Sequence, residues 1–140
     1  MTSLLILHEK HGDRYFKFET IEELHKIALH VLKKRAEEDD WGNLCVVEVQ
    51  RNNENQEKYA ALKEYIKHVT HPQAVSLLNK EVDDLSKEIK NSTNLIDVYR
   101  RALSSLKESD GKKALEALNS RQSWEYENFD LDEAETVEDL

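Results

Sequence analysis

The sequence predicts an α+β protein with a small N-terminal ββαβ unit, a helical region and an acidic C-terminal tail. Three glycines and one proline in 140 residues leave few turn positions, which favours long helices over a many-stranded sandwich. Apolar residues alternate with period two near the N terminus and recur every three or four residues further along. All 20 Lys and Arg residues lie at or before Arg121, and eight of the 29 acids lie after it. We therefore assign the ββαβ unit to residues 1–52, a helical region that packs on it or projects from it to 53–122, and the tail to 123–140.

The first two elements are predicted to form a β-hairpin. Residues 4–7, LLIL, are an apolar run that suits a central strand. Gly12 and Asp13 supply turn chemistry. In the segment that follows, Phe16 and Phe18 alternate with polar side chains, which is the period of a half-buried strand.

A helix and a third strand complete the predicted ββαβ unit. Thr20 and Glu23 have capping-box spacing, so each side chain can accept a hydrogen bond from a free N–H group at the helix start. The segment 44–49, LCVVEV, is rich in β-branched residues and predicts a strand. The apolar stripe of the helix consists of Ile21, Leu24, Ala28, Val31 and Leu32, with Ile27 at its edge.

The helical region is predicted to contain a helix over 54–69 and then a long apolar stripe over 73–110. This stripe has neither Gly nor Pro, and its apolar residues follow the alternating spacings of three and four that are typical of helix packing. It is either one coiled-coil helix of about 36 residues or an αα-hairpin that reverses at 90–94, where Asn, Ser and Thr disfavour helix. We favour the hairpin, because the second half of the stripe is wider than a two-stranded seam requires. The packing residues are Val75, Leu78, Val82, Leu85, Ile89, Ile96, Tyr99, Leu103 and Leu106.

The tail carries most of the net charge. The formal net charge is −9, of which the residues before the tail contribute −1 and the tail −8. We expect the tail to bind a protein with a basic surface, because its aromatic residues offer area to bury and its acids steer association. The predicted partner-binding residues are Trp124, Glu125, Tyr126, Glu127, Phe129, Asp130, Asp132 and Glu133. The alternative, which the sequence favours no less, is a disordered tail that keeps the protein in solution and whose aromatic residues dock loosely on the body.

No residue pattern indicates catalysis, a metal site or a cofactor. Cys45 is the only cysteine, so no intramolecular disulfide or multi-cysteine zinc site is expected. The six histidines do not converge as a ligand set, and the glycines are too far apart for a phosphate-binding loop. The near-neutral body lacks the basic face that direct nucleic-acid binding needs. Because no signal peptide or membrane span is evident and the cysteine content suits a reducing compartment, we expect a cytoplasmic protein.

These observations predict a non-enzymatic protein-binding module. A small, acidic, glycine-poor chain without catalytic motifs is typical of bacteriophage accessory proteins. Such a viral protein would inhibit or modulate a nucleic-acid-handling partner through its helices and its acidic tail. The alternative is a structural or assembly protein that homo-oligomerises through the heptad stripe of 73–110.

Overall fold

The computed structural model describes residues 2–9, 12–118, 121–123 and 133–140, with the backbone alone described for 121–123. It has the mixed α+β, mostly helical architecture that the sequence predicts. The elements are β1 (Ser3–Glu9), β2 (Gly12–Phe18), α1 (Ile21–Glu38), α2 (Trp41–Ile66), α3 (Pro72–Glu108), α4 (Gly111–Ala117), β3 (Arg121–Ser123) and a final 3-10 turn (Val137–Asp139).

The chain divides into two compact units. The sheet unit combines residues 1–40 with 101–140, and the hairpin unit is residues 41–100. The boundary that the sequence suggested at 52/53 therefore falls inside α2, and the second structural boundary falls inside α3. The sheet unit is built from both ends of the chain, with the hairpin unit as an insertion.

The three strands of the sheet unit are antiparallel, in the order β2-β1-β3. The predicted central strand is β1, and its apolar run is explained by burial on both faces of the sheet. Leu5 and Leu7 on one face have no exposed surface, and on the other face Leu4 and Ile6 are 2% and 5% exposed. A continuous apolar run is the pattern of a strand that is covered on both sides.

The prediction of a third strand at 44–49 is wrong, because these residues lie inside α2. Local β-branched character suggested the strand, yet Val46 and Val47 are 56% and 44% exposed and pack into no core. The third strand is β3, which pairs with β1 from the other end of the chain. Residues 1–52 thus form no ββαβ unit, because β-branched residues favour a strand only where tertiary packing provides a pleated, half-buried surface for them.

Helix α1 forms where the sequence predicts it. The Glu23 N–H donates to Thr20 Oγ1 over 3.1 Å, and Glu23 Oε2 accepts from the Glu19 N–H over 3.0 Å. The helix packs against α4 and β2. Ile21 is 68% exposed and does not belong to the buried stripe, whereas Ile27 is fully buried. The buried residues of the helix are Leu24, Ile27, Ala28, Val31, Leu32 and Ala36.

Helix α3 is continuous, so the favoured reversal at 90–94 is wrong. The polar residues there are satisfied inside the helix and by α2. Thr93 Oγ1 donates to the Ile89 carbonyl over 2.8 Å and accepts from Asn52 Nδ2 over 3.3 Å. Ser92 Oγ donates to Glu48 Oε1 over 2.7 Å. The chain reverses before Pro72 instead, which makes α2 and α3 an antiparallel hairpin.

The last eight residues, 133–140, belong to the sheet unit. The Glu135 N–H donates to the Tyr15 carbonyl, and the Glu135 carbonyl accepts from the Lys17 N–H, each over 2.8 Å. Arg14 makes two hydrogen bonds to the Glu135 carboxylate, at 2.7 and 2.9 Å, which raise the pKa of its guanidinium above the ordinary value. Ala134 is buried against Leu4 and Ile6 of the sheet. This part of the chain therefore covers one sheet face and the outer edge of β2. The sequence had instead suggested that these residues belong to a tail separate from the body.

Candidate functional site

A catalytic or metal centre has no support in the described part of the chain. No group of three or more His, Cys, Asp or Glu side chains in these ranges is placed to hold a metal ion. Cys45 is a buried thiol of α2. The pair of His8 Nδ1 and Asp13 Oδ1, 2.8 Å apart, is an exposed cross-strand pair of β1 and β2. The surface features of the hairpin unit are a better candidate.

A groove runs between α2 and α3 along one side of the hairpin unit, and we call it the hairpin groove. The section nearer the turn between the two helices, which we call the tip section, has a volume of about 610 Å³. The section further from that turn, which we call the polar section, has a volume of about 630 Å³. Lys58 and Glu88 line both sections, so the two are continuous. The tip section is lined by Lys58, Ala61, Leu62 and Tyr65 of α2 and by Glu81, Asp84, Leu85 and Glu88 of α3.

The apolar stripe of α3 is only partly covered, and one of its residues, Leu85, lines the groove. Of the nine predicted packing residues, Val82 and Ile96 are buried and the other seven are half-buried. Tyr99 packs on Trp41 of α2, with ring centroids 6.0 Å apart. Leu103 and Leu106 lie in the part of α3 that belongs to the sheet unit. A two-helix layer leaves one flank of such a stripe open, which a further helix covers in larger bundles.

A layer of buried polar side chains lies between α2 and α3 beside the polar section, and we call it the polar seam. Asn52, Asn55 and Ser92 are 8%, 8% and 5% exposed. Ser92 donates to Glu48, Asn52 donates to Thr93, and the Asn52 Oδ1 accepts from Gln56 Nε2 over 3.3 Å. Buried polar groups that are hydrogen-bonded in this way fix the register of two helices at some cost in stability.

Exposed apolar side chains stand at both ends of the groove. At the tip, Tyr65 is 60% exposed and Leu77, one turn before Glu81 on α3, is 71% exposed. At the other end, Leu95 and Val98 are 40% and 50% exposed, one turn apart on the same helix. Large apolar side chains arranged around an open groove are typical of a protein-binding surface.

The two walls of the groove differ in charge. The α3 wall presents Glu81, Asp84 and Glu88 at spacings of three and four, so all three carboxylates lie on one flank of the helix. All three are exposed, and no Lys, Arg or His in the described residues forms an ion pair with them. The α2 wall carries the cations Arg51 and Lys58 together with Glu48 and Glu54, so it has no net charge. Across both sections the lining has five carboxylates and two cations, a net charge of −3.

The predicted partner-binding residues of the tail are largely outside the described residues. Glu133 is described and exposed. The others, Trp124, Glu125, Tyr126, Glu127, Phe129, Asp130 and Asp132, lie in the range that the structure does not describe.

Sequence reasoning missed the acidic wall, because the carboxylate pair at 83 and 84 looked like ordinary solvated charge. The sequence does contain one signal of this wall, which is the spacing of its acidic residues. Glu81, Asp84 and Glu88 fall beside the apolar stripe at positions that recur with the turns of the helix. Their role as a wall becomes visible only when α2 is known to lie beside them.

Comparison with protein-family models, curated proteins and solved structures finds no match to this chain. Among the described helices, none combines the length and apolar character that a membrane span needs.

Proposed function

We propose that this protein is a non-enzymatic protein-binding module and that the hairpin groove is its main binding surface. The observation that supports this most is the open groove itself, which is lined by half-buried Leu62 and Leu85 and by exposed Tyr65 and Leu95. Exposed Leu77 and Val98 lie one turn beyond its lining on α3. A partner that fills the groove would remove this apolar surface from water, at about 25 cal/mol per Å² of apolar area. Tyr65 is the strongest candidate for an energetic hot spot, since tyrosine is enriched among such residues.

The charge of the groove and the charge of the tail have the same sign. The groove lining sums to −3 and the tail to −8. Both therefore favour a partner with a basic surface, and both would accelerate its association by electrostatic steering. A nucleic-acid-handling protein, whose own ligand is a polyanion, has such a surface. Modulation or inhibition of that class of protein, as by a phage accessory protein, is the biological role that we propose.

Site-specific photo-crosslinking tests the binding surface. A photoreactive p-benzoylphenylalanine replaces Tyr65 in the groove or, as control, the exposed Glu57, which lies on α2 but does not line the groove. In lysate of the source cells, we expect a discrete heterologous adduct from position 65 and none from position 57. Equal adducts from both positions, or none from either, would contradict the proposal.

The contribution of the tail needs a variant that leaves residues 133–140 in place, because these pack on the sheet. Glu125→Gln, Glu127→Gln, Asp130→Asn and Asp132→Asn together remove four charges without shortening the chain. We expect slower association with the crosslinked partner and a weaker dependence on salt. Unchanged association kinetics would remove these tail charges from the mechanism.

Homo-oligomerisation through the stripe of 73–110 is the second candidate. The observation in its favour is that seven of the nine stripe residues are only half-buried, so a second copy has surface left to cover. Sedimentation over a wide range of protein concentrations separates this role from binding of a different protein. A strict monomer at the highest concentration would contradict it.

A further inference from the structure

We propose that the element that occupies the hairpin groove is an amphipathic α-helix of the partner with a basic flank. This inference rests on the proposed function and specifies the chemistry of the partner. It follows from the length of the groove, from the unpaired acidic wall of α3 and from the different charge of the α2 wall.

The shape of the groove suits a helix. Its α3 wall extends from Glu81 to Leu95, which is about 21 Å at about 1.5 Å per residue. About four turns of helix span this distance. A third helix that packs at an interaxial distance of about 8–10 Å from both α2 and α3 would cover the half-buried residues Leu62 and Leu85, which line the tip section.

The acidic wall of α3 favours positive charge on the flank of the partner's helix that faces it. Glu81, Asp84 and Glu88 stand on successive turns of α3 and have no ion-pair partner in the described residues. By contrast, the exposed Glu64 at the end of α2 is paired with Lys67 over 3.0 Å. Lys or Arg residues spaced three and four apart on the bound helix would meet the three free carboxylates in turn.

The α2 wall determines which residues are favoured on the other flank of the partner's helix. Lys58 and Ala61 stand opposite the acidic wall in the tip section, and Arg51 belongs to the polar section, 3.8 Å from Glu48. A second row of Lys or Arg on the bound helix would meet Lys58 in the tip section and, in the polar section, a wall where Glu48 and Glu54 balance Arg51 and Lys58. The preferred ligand is therefore basic only on the side that faces α3, with small or acidic residues on the side that faces α2.

The same charges disfavour other occupants. A second copy would bring its own net −3 groove against this one, and like charges in an interface oppose association. A nucleic acid or an anionic membrane would be repelled by the three free carboxylates. A helix with one basic flank satisfies both the shape and the charge.

A matched pair of synthetic peptides tests this proposal. Both have about 21 residues, a Leu stripe and Glu on the flank that faces α2; one carries Lys and the other Glu on the flank that faces α3. Fluorescence anisotropy with the full-length protein measures their affinity. We expect the Lys peptide to bind at least about tenfold more tightly, because three ion pairs of about 0.5 kcal/mol each amount to about one order of magnitude.

Charge reversal of the wall provides the decisive variant. With Glu81→Lys and Glu88→Lys together, we expect the preference to invert, so that the Glu peptide becomes the tighter ligand. The control is Glu57→Lys with Asp83→Lys, which makes the same change in net charge at exposed positions that do not line the groove. That control should retain the Lys preference within about twofold, the range of a screened long-range effect. The neutral triple variant Glu81→Gln, Asp84→Asn, Glu88→Gln should bind both peptides about equally.

Three outcomes of the peptide-binding measurements would overturn the basic-helix proposal. These are equal binding of the two peptides by the unmodified protein, no binding of either, or the same loss of preference in the control variant. None of them would overturn the proposed function, because the photo-crosslinking at position 65 reports partner binding whatever its secondary structure. A second copy of the chain would be the occupant if the protein dimerises with rising concentration and the double variant Glu81→Lys, Glu88→Lys dimerises more strongly. That result would also overturn the proposal.

Discussion

The sheet unit and the hairpin unit bury very different interiors. In the sheet unit, Leu5, Leu7 and Phe16 have no exposed surface. In the hairpin unit, the buried residues among those described are three apolar ones, Cys45, Val82 and Ile96, and three polar ones, Asn52, Asn55 and Ser92. Apolar burial is the main source of folding free energy. The difference indicates that the sheet unit supplies most of the stability, while the hairpin unit leaves more of its apolar surface exposed.

The same substitution in the two units gives the largest test of this comparison. Leu5→Ala removes a fully buried side chain from the central strand and should lower the free energy of unfolding by about 4 kcal/mol. Leu85→Ala removes a half-buried side chain beside the groove and should lower it by about 1 kcal/mol. Chemical denaturation measures both values. Equal losses would show that the hairpin interior contributes as much as the sheet interior.

Two glycines give the next test. A Cβ at Gly111 would lie 2.9 Å from the His25 Cα and closer still to the His25 side chain, so α4 approaches α1 closely only because position 111 has no side chain. Gly111→Ala should therefore destabilise the protein by about 3 kcal/mol.

Gly42 in α2 is the matched control, since a Cβ there meets nothing within 4 Å. Gly42→Ala should leave stability unchanged or raise it by up to about 1 kcal/mol, because alanine loses less backbone entropy in a helix. Thermal denaturation of both variants provides the measurement. An unchanged melting temperature of Gly111→Ala would show that α4 can move away from α1 without loss of stability.

The polar seam gives the smallest effect. Asn52→Leu replaces a buried amide, hydrogen-bonded to Thr93 and Gln56, with an apolar side chain. We expect stability to rise by about 1 kcal/mol while the hairpin becomes less specific in its pairing and more prone to self-association. Denaturation and sedimentation would measure the two effects. A clear loss of stability without self-association would mean that the seam stabilises the hairpin outright.

The sequence predicts those elements whose signals are local. The capping pair Thr20 and Glu23, the apolar stripe of α1 and the alternation around Phe16 lie within a few residues of the elements that they define. The long apolar stripe of α3 is also a local signal. The continuation of this helix through 90–94, however, is supported by hydrogen bonds with Glu48 and Asn52 of α2.

The remaining features depend on partners that are remote in sequence. Strand β3 has three residues and is defined by its pairing with β1. Glu135 pairs with Arg14 from the other end of the chain, so its packing has no local signature. The acidic wall of Glu81, Asp84 and Glu88 becomes part of a groove only when α2 stands beside it. Each of these needs the tertiary fold, which single-sequence patterns do not specify.

Hydrogen exchange with and without the Lys peptide tests most directly whether the hairpin groove is the binding surface. Amides in stable cores exchange through global unfolding, whereas those in weakly packed helices exchange through local opening. We expect the free protein to protect residues 3–7 and 24–36 more strongly than residues 48–65 and 81–98. Bound peptide should slow exchange in the two hairpin segments and leave the two sheet-unit segments unchanged. Slowed exchange in the sheet unit alone, or no change in the hairpin unit at saturating peptide, would contradict the assignment of the groove.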